Sequence, residues 1–217
     1  MMTVRMLTRY HLELLVRSQR WLPPGLAYVL LMGLGVSGGD EALSAAAFSA
    51  GLLVPVTGWL VRSAVTAEPA QSRACLVAAA GWRRVHLSAL LAAALAGLAL
   101  GVLGLAAVLA VGSGGSGAAA AAGLLATVVC VLTGAAVGAV CNRPVVAGAQ
   151  YAVPLGLAAV VLVLLVPGSP ANAVVRALVL GARHGALSVP WWALPGASAL
   201  AAGAGWAAVT VAVRRGE

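Results

Sequence analysis

The sequence predicts an all-α membrane protein of six transmembrane helices, preceded by an amphipathic helix at the membrane surface. Three observations lead to this prediction. Between Trp21 and Arg215, six apolar stretches alternate with short connections, and no stretch contains an acidic or basic residue. The composition is 62% hydrophobic and 8% charged, with a mean hydropathy of +1.04, which leaves too little polar surface to cover a soluble domain. The polar and apolar alternation of a transmembrane β-barrel is missing.

Residues 3–20 come first and are predicted to form a helix in the membrane interface. At 100° per residue, one face of this helix is basic and the other is apolar. The basic face can meet anionic headgroups or a protein partner while the apolar face enters the acyl boundary, and a simple membrane anchor is the alternative. The basic face carries Arg5, Arg9, Arg17 and Arg20 with Glu13, and the apolar face carries Val4, Leu7, Tyr10, Leu14 and Leu15.

The six apolar stretches have the length that a bilayer requires. Each is close to the roughly 20 residues that cross a hydrocarbon core as a helix, and a helix satisfies its backbone groups internally. Residues 1–217 are therefore predicted to form a single transmembrane domain. Its predicted spans are residues 22–39, 43–61, 87–111, 118–140, 145–167 and 191–213.

Small residues within the spans predict close helix packing. Gly134 and Gly138 are four residues apart in the fourth span, and the third span contains a similar series of glycines. Pro55 and Pro154 interrupt the second and fifth spans, where proline is expected to bend a helix. The third-span glycines are Gly97, Gly101 and Gly104.

The loop of residues 62–86 is the longest on its side of the predicted membrane and contains its own helix signals. Glu68 and Pro69 are typical of a helix start, and Gly81 is typical of the position just after a helix end. A short helix tethered to two spans can transmit a movement, and a structured loop without that role is the alternative. Trp82 then follows at headgroup depth, with Arg83 and Arg84 in water.

Residues 168–190 are too polar and too interrupted to cross a bilayer. The centre of this segment, residues 171–180, can form a short helix. We expect either an amphipathic helix on the outer surface or a re-entrant piece that neighbouring helices shield from lipid.

The positions of the arginines predict the orientation. Basic residues near short loops remain on the cytoplasmic side, and an even number of spans places both termini on the same side. Only Arg176 and Arg183 fall on the opposite side, so both termini of this multi-pass protein of the cell membrane are predicted to be cytoplasmic. The cytoplasmic arginines are Arg5, Arg9, Arg17, Arg20, Arg62, Arg73, Arg83, Arg84, Arg143, Arg214 and Arg215.

Catalytic and ion-coupling chemistry finds little support in the sequence. No predicted span contains the ionisable residues that ion- and proton-coupled carriers use as relays. Because the chain has no lysine, a phosphate-binding loop is excluded, and ATP-driven work would need another polypeptide. Cys75, Cys130 and Cys141 are widely spaced, so neither a disulfide nor a metal site is expected. We expect no cofactor, no nucleic-acid partner and no enzymatic activity.

Several short strings occur in an order that has a parallel in a known family. An arginine-rich helix runs into Trp21-Leu22-Pro23-Pro24, and a membrane hairpin follows. After the hairpin come Thr66-Ala67-Glu68-Pro69-Ala70-Gln71-Ser72-Arg73 and then Gly81-Trp82-Arg83-Arg84. Later strings are Cys141-Asn142-Arg143-Pro144 and Val166-Pro167-Gly168-Ser169-Pro170. Over nearly its whole length, the chain resembles the transmembrane subunit of bacterial ABC exporters of the type-2 class.

The resemblance implies a permease subunit that works as a homodimer or heterodimer with a separate cytoplasmic ATPase on each half. Residues 3–20 would be the connecting helix, residues 62–86 would hold the coupling helix that rests on the ATPase, and residues 168–190 would correspond to the broken helices before the last span. The dimer would form the path for a hydrophobic or amphipathic compound, and the partner would bind ATP. Coupling to the ATPase is expected from Glu68, Arg73, Arg83 and Arg84, since arginine can pair with carboxylates through two hydrogen bonds.

Two other functions remain open at this point. The same cytoplasmic surface could belong to a membrane scaffold or assembly factor that recruits a partner without transporting anything. A membrane enzyme is a third candidate, although the sequence offers no convincing nucleophile, base or metal site for one.

Overall fold

The protein is all-helical, as the sequence predicts. The computed structural model describes residues 3–142, 145–146, 148–185 and 187–215, and this part contains nine helices and no strand beyond one isolated bridge. Arg143 and Pro144, which belong to the predicted arginine distribution and to one family-like string, lie outside the described residues. The helices are α1 (Val4–Arg17), α2 (Leu22–Gly35), α3 (Ala42–Val65), α4 (Ala70–Ala80), α5 (Trp82–Val111), α6 (Gly117–Cys141), α7 (Ala149–Leu165), α8 (Pro170–His184) and α9 (Ala193–Arg215).

Over the described residues, four helices are long and apolar enough to cross a membrane. These are α3, α5, α6 and α9, and they indicate a multi-pass membrane protein. Helices α7 and α8 meet at a bend of 49°, and together they make a fifth candidate crossing. Helix α2 is apolar but has 14 residues, so it extends about 21 Å, which is less than a hydrocarbon core of about 30 Å.

Four predicted span ends differ from the structure by four or five residues. Helix α3 continues to Val65 rather than to residue 61, and α7 starts at Ala149 rather than at residue 145. The first apolar stretch was expected to continue to residue 39, but α2 ends at Gly35, because the backbone N–H of Ser37 donates to Asp40 Oδ2 at 2.7 Å and turns the chain. The third span was expected to start at residue 87, but α5 starts at Trp82. Gly81, with φ of +83°, makes the turn between α4 and α5, so a new helix starts immediately after it.

The centre of the molecule is the contact between α3 and α6, where glycine allows the two backbones to approach. A Cβ atom at Gly134 would lie 2.6 Å from the carbonyl oxygen of Val54, and one at Gly138 would lie 3.1 Å from the Cα atom of Gly58. The predicted role of Gly134 and Gly138 in close helix packing is therefore confirmed. Most of the fully buried side chains lie on these two helices and on α5.

At one end of the bundle, the connection between α2 and α3 pairs with the connection between α5 and α6. The backbone N–H of Ser113 donates to the carbonyl of Asp40 at 2.9 Å, and the N–H of Ala42 donates to the carbonyl of Ser113 at 2.9 Å. Helix α8 packs near this end, where its Gly181 lies beside Leu43 at the start of α3. Its apolar face is buried against α3 and α6, while Arg176 and Arg183 are exposed.

The opposite end gathers most of the arginines, and we call it the arginine-rich end. It consists of α1, the last turn of α3, α4, the first turn of α5 and the last turn of α9, which surround one small cavity. Helix α1 packs against α5 through a face on which Leu7, His11 and Leu15 are buried. That face is turned slightly from the predicted one, since Val4 and Tyr10 are more than a third exposed.

Candidate functional site

Helix α4 is the most exposed element of the arginine-rich end. It joins α3 to α5, it packs only against α5, and none of its described side chains is buried. Proline at position 69 starts the helix, and Gly81 ends it by donating its N–H to the carbonyl of Val77 at 2.8 Å. A short helix held at both ends with its side chains in solvent is well placed to contact another protein.

Arg73 holds α4 to the end of α3. Its Nη2 donates to the carbonyl of Val65 at 2.9 Å and to the carbonyl of Glu68 at 3.3 Å. The last carbonyls of an α-helix have no partner within the helix, and a cation there also interacts favourably with the helix dipole. Arg73, one of the predicted coupling residues, therefore ties α4 to α3 within the protein.

Arg20 makes a similar connection from the end of α1. Its Nη1 donates to the carbonyl of Thr66 at 2.6 Å and lies 3.3 Å from Thr66 Oγ1. The two guanidinium groups together bind the last turn of α3 to α1 and to α4. The sequence assigned Arg20 to a headgroup-facing surface, and no sequence signal pointed to a contact with a residue 46 positions away.

Glu68 also faces the interior. It is 7% exposed, and its Oε1 has no hydrogen-bond partner among the described residues. Burial and the neighbouring Glu68 carboxylate raise the pKa of the Tyr10 phenol above its ordinary value. Glu68 therefore connects the start of α4 electrostatically to α1, which the local sequence does not indicate.

A polar cavity of about 40 Å³ lies behind these residues. Its lining includes His11, Glu68, Arg73 and His86, and the Nε2 atom of His86 also has no hydrogen-bond partner among the described residues. His11 Nδ1 lies 2.8 Å from the carbonyl of Leu7 and 3.2 Å from Ser88 Oγ. A volume of this size exceeds the roughly 10–15 Å³ that one water molecule needs, so the cavity can hydrate its polar groups.

The remaining predicted residues lie on the outer surface. Arg84 is exposed and forms no hydrogen bond or ion pair with the described residues, while the Arg83 guanidinium lies 5.2 Å from the ring centre of Trp206 on α9. Arg9 pairs with Glu13 at 3.0 Å, but both are largely exposed, so this pair adds little stability. Arg5 and Arg17 are also exposed on α1.

The arginine-rich end thus has an inner layer and an outer layer. In the inner layer, Arg73 ties α4 to α3 and Arg20 bonds to Thr66 at the end of α3, with Glu68 buried beside them. Arg84 and the exposed face of α4 form the outer layer. Such an arrangement can bind an acidic protein surface and pass a displacement of α4 to α3 and α5.

Comparison with known proteins gave no match: no family model, no curated protein and no solved structure resembles the chain significantly.

Proposed function

We propose that this chain is the membrane-spanning permease subunit of an ATP-driven exporter of the type-2 ABC class. Two such subunits, identical or different, would form the path for a hydrophobic or amphipathic compound, and a separate cytoplasmic ATPase would bind and hydrolyse ATP. The observation that carries the proposal is α4, an exposed helix hydrogen-bonded through Arg73 to the end of α3 and joined to α5 by the single residue Gly81. Movement of α4 by a partner would reach both long helices directly.

The proposed topology has six crossings, with both termini and the arginine-rich end in the cytoplasm. It includes α2 and α7 as crossings in addition to the four long helices, with α8 packed at the outer end. The 14-residue α2 falls about 9 Å short of the hydrocarbon core, and local thinning of the bilayer at fractions of a kcal/mol per Å would accommodate it at a total cost on the order of a few kcal/mol. The concentration of arginine at one end supports this orientation.

Arg84 and the exposed face of α4 are the proposed contact with the ATPase, and Arg83 lies beside them. Glu68 and Arg73 take part as the residues that hold α4 on the membrane domain, which refines the role expected for them. The arginines of α1 would rest on anionic lipid headgroups next to the same partner.

Cys75 on α4 provides a selective test. It is exposed, while Cys130 and Cys141 are buried, so a maleimide-linked benzophenone will react with Cys75 in native membranes. After illumination, we expect mass spectrometry to identify an ATPase subunit crosslinked to this chain. We expect the purified ATPase to hydrolyse ATP faster in the presence of this chain than alone.

The control variants are Cys75→Ser, which should give no crosslink, and Cys75→Ser with Arg176→Cys, which carries the probe on α8. If Cys75 captures only proteins without an ATPase domain, the permease proposal is wrong and the membrane scaffold takes its place. Capture of the ATPase from α8 as strongly as from α4 would also overturn the proposed contact.

A further inference from the structure

A second and larger cavity lies between α3, α6 and α7 and reaches the arginine-rich end at Arg62. Its volume is about 440 Å³, which is within the range of sites that bind small molecules. Each helix contributes one stripe of its surface, including Pro55 and Gly58 on α3, Val137 on α6, and Ala152 and Gly156 on α7. We call this cavity the α7 cleft.

The wall of the α7 cleft is apolar along most of its length. Trp59 and Leu157 are part of it and are 47% and 60% exposed, so the cleft opens to the side of the bundle. From Pro55 to Arg62 it follows α3 for about 10 Å, given a rise of 1.5 Å per residue. An opening of this kind toward the lipid can receive a hydrocarbon chain from the membrane.

Arg62 gives one end of the cleft a positive charge. It lies in the last turn of α3, and its Nη1 atom is inaccessible to solvent and has no hydrogen-bond partner among the described residues. No described acidic residue lines the cleft. A buried donor atom without a partner is costly, and a bound anion that accepts from Nη1 would remove that cost.

Asn142 lies beside this end and contributes a neutral side-chain amide. One N–H of its Nδ2 donates to the carbonyl of Gly138 at 2.9 Å, which leaves one neutral donor there, while Arg62 supplies the positive charge. A guanidinium group binds carboxylate or phosphate through two parallel hydrogen bonds, which favours an oxyanion over a neutral polar group.

We propose that the α7 cleft binds an anionic amphiphile of the membrane, with its carboxylate or phosphate on Arg62 and its hydrocarbon chain along α3 and α7. This chain alone, without an ATPase subunit, should bind the amphiphile. The further step that such an amphiphile is the exported compound rests on the proposed function.

Trp59 makes the binding measurable. The probes are lysophosphatidic acid with a brominated acyl chain and the monoacylglycerol with the same chain, which lacks only the phosphate. Bromine quenches tryptophan fluorescence at short range. The part of the quenching that is lost in Trp59→Phe therefore reports brominated acyl chains in the cleft. The full-length chain in mild detergent is sufficient, and no ATPase is needed.

We expect the phosphate-bearing probe to quench Trp59 at concentrations roughly 10- to 100-fold lower than the glycerol probe, as a charge-assisted hydrogen bond implies. Arg62→Gln should remove this difference, and Arg62→Lys, which keeps the charge but not the two parallel hydrogen bonds, should keep part of it. Gly156→Leu should weaken both probes, because a Cβ there meets only Cys141 Cβ at 3.9 Å and the longer side chain enters the cleft. Arg176→Gln, on exposed α8, should change nothing.

Several results would overturn the inference. Equal binding of the two probes, or an unchanged difference in folded Arg62→Gln, would exclude recognition of the anion by Arg62. Displacement of the lipid probe by millimolar inorganic phosphate alone would identify a free anion as the occupant. Exclusion of both probes from a purified dimer would show that a helix of a second copy fills the cleft. None of these results affects the crosslinking test of the ATPase contact, so the two proposals can fail separately.

Discussion

Arginine occupies three different environments in this molecule, and the environment decides what each side chain does. Arg73 donates to backbone carbonyls at the end of α3, Arg84 is exposed, and Arg62 is half-buried at one end of an apolar cleft. The same substitution should therefore affect stability at the first position, partner binding at the second and ligand binding at the third.

Two substitutions, Arg73→Gln and Arg84→Gln, distinguish the attachment of α4 to α3 from the proposed contact with the ATPase. Arg73→Gln removes hydrogen bonds from a charged, half-buried group and should destabilise the fold by about 1–2 kcal/mol. Arg84→Gln should leave stability unchanged and reduce recovery of the ATPase. Thermal denaturation in detergent and copurification from native membranes measure the two effects. Equal melting temperatures for wild type and Arg73→Gln would show that Arg73 does not hold α4 in place.

Glu68→Gln tests the link between α4 and α1. Since burial and the Glu68 carboxylate raise the pKa of Tyr10, removal of the charge should shift that pKa down toward its ordinary value. NMR of ¹³C-labelled tyrosine during an alkaline titration follows Tyr10 directly. Glu13→Gln on the same helix is the control and should leave the Tyr10 pKa where it is. An unchanged Tyr10 pKa in Glu68→Gln would place the carboxylate away from α1.

The raised pKa of Tyr10 predicts that the stability of the fold depends on pH. The folded state holds the Tyr10 proton more tightly than the unfolded chain does. The stability from neutral Tyr10 is therefore complete below the ordinary tyrosine pKa and is lost as the pH rises through the raised value. Glu68→Gln should reduce this loss at alkaline pH.

At the scale of the elements, the contact between α3 and α6 depends on the absence of side chains. A methyl group at Gly134 would press against the backbone of Val54, which cannot move without shifting α3. We expect Gly134→Ala to destabilise the protein by about 1–3 kcal/mol through overpacking. Thermal denaturation in detergent measures this change.

Gly51→Ala on α3 is the matched control for Gly134→Ala. A Cβ atom at Gly51 meets nothing within 4 Å, so this variant should be neutral or slightly more stable, since alanine favours the helix. A Gly134→Ala variant as stable as Gly51→Ala would show that α3 and α6 have room to separate.

The elements themselves follow closely from the sequence. Long apolar stretches must become helices because lipid cannot satisfy backbone groups, and the structure has α3, α5, α6 and α9 where such stretches lie. Proline 69 and Gly81 frame α4 through their backbone preferences. The early end of α2 escaped prediction, because it depends on one side-chain hydrogen bond from Ser37 N–H to Asp40 rather than on apolar composition.

At the scale of the whole molecule, the number of crossings decides where the termini lie. Six crossings place both termini on the same side, whereas five would place them on opposite sides. We expect tags at both termini to be protected from protease in intact cells, and Cys75 to react with an impermeant maleimide only after permeabilisation. Arg176→Cys in a Cys75→Ser background should react from outside.

One accessible terminus would contradict the six crossings and would point to α2, the shortest apolar helix, as a helix that does not span. Labelling of Cys75 from outside would reverse the orientation and would remove the basis for a cytoplasmic ATPase contact.

The sequence alone determined that this protein is helical and built for a membrane, because these properties follow from composition and from the length of apolar runs. It also located α4, because proline and glycine act through local backbone geometry. Only the tertiary structure decided that Glu68 and Arg73 face inward, that Arg20 reaches Thr66, and that Arg62 borders the α7 cleft. These facts depend on which helices become neighbours, and a charged side chain carries no local signal of the surface that it will meet.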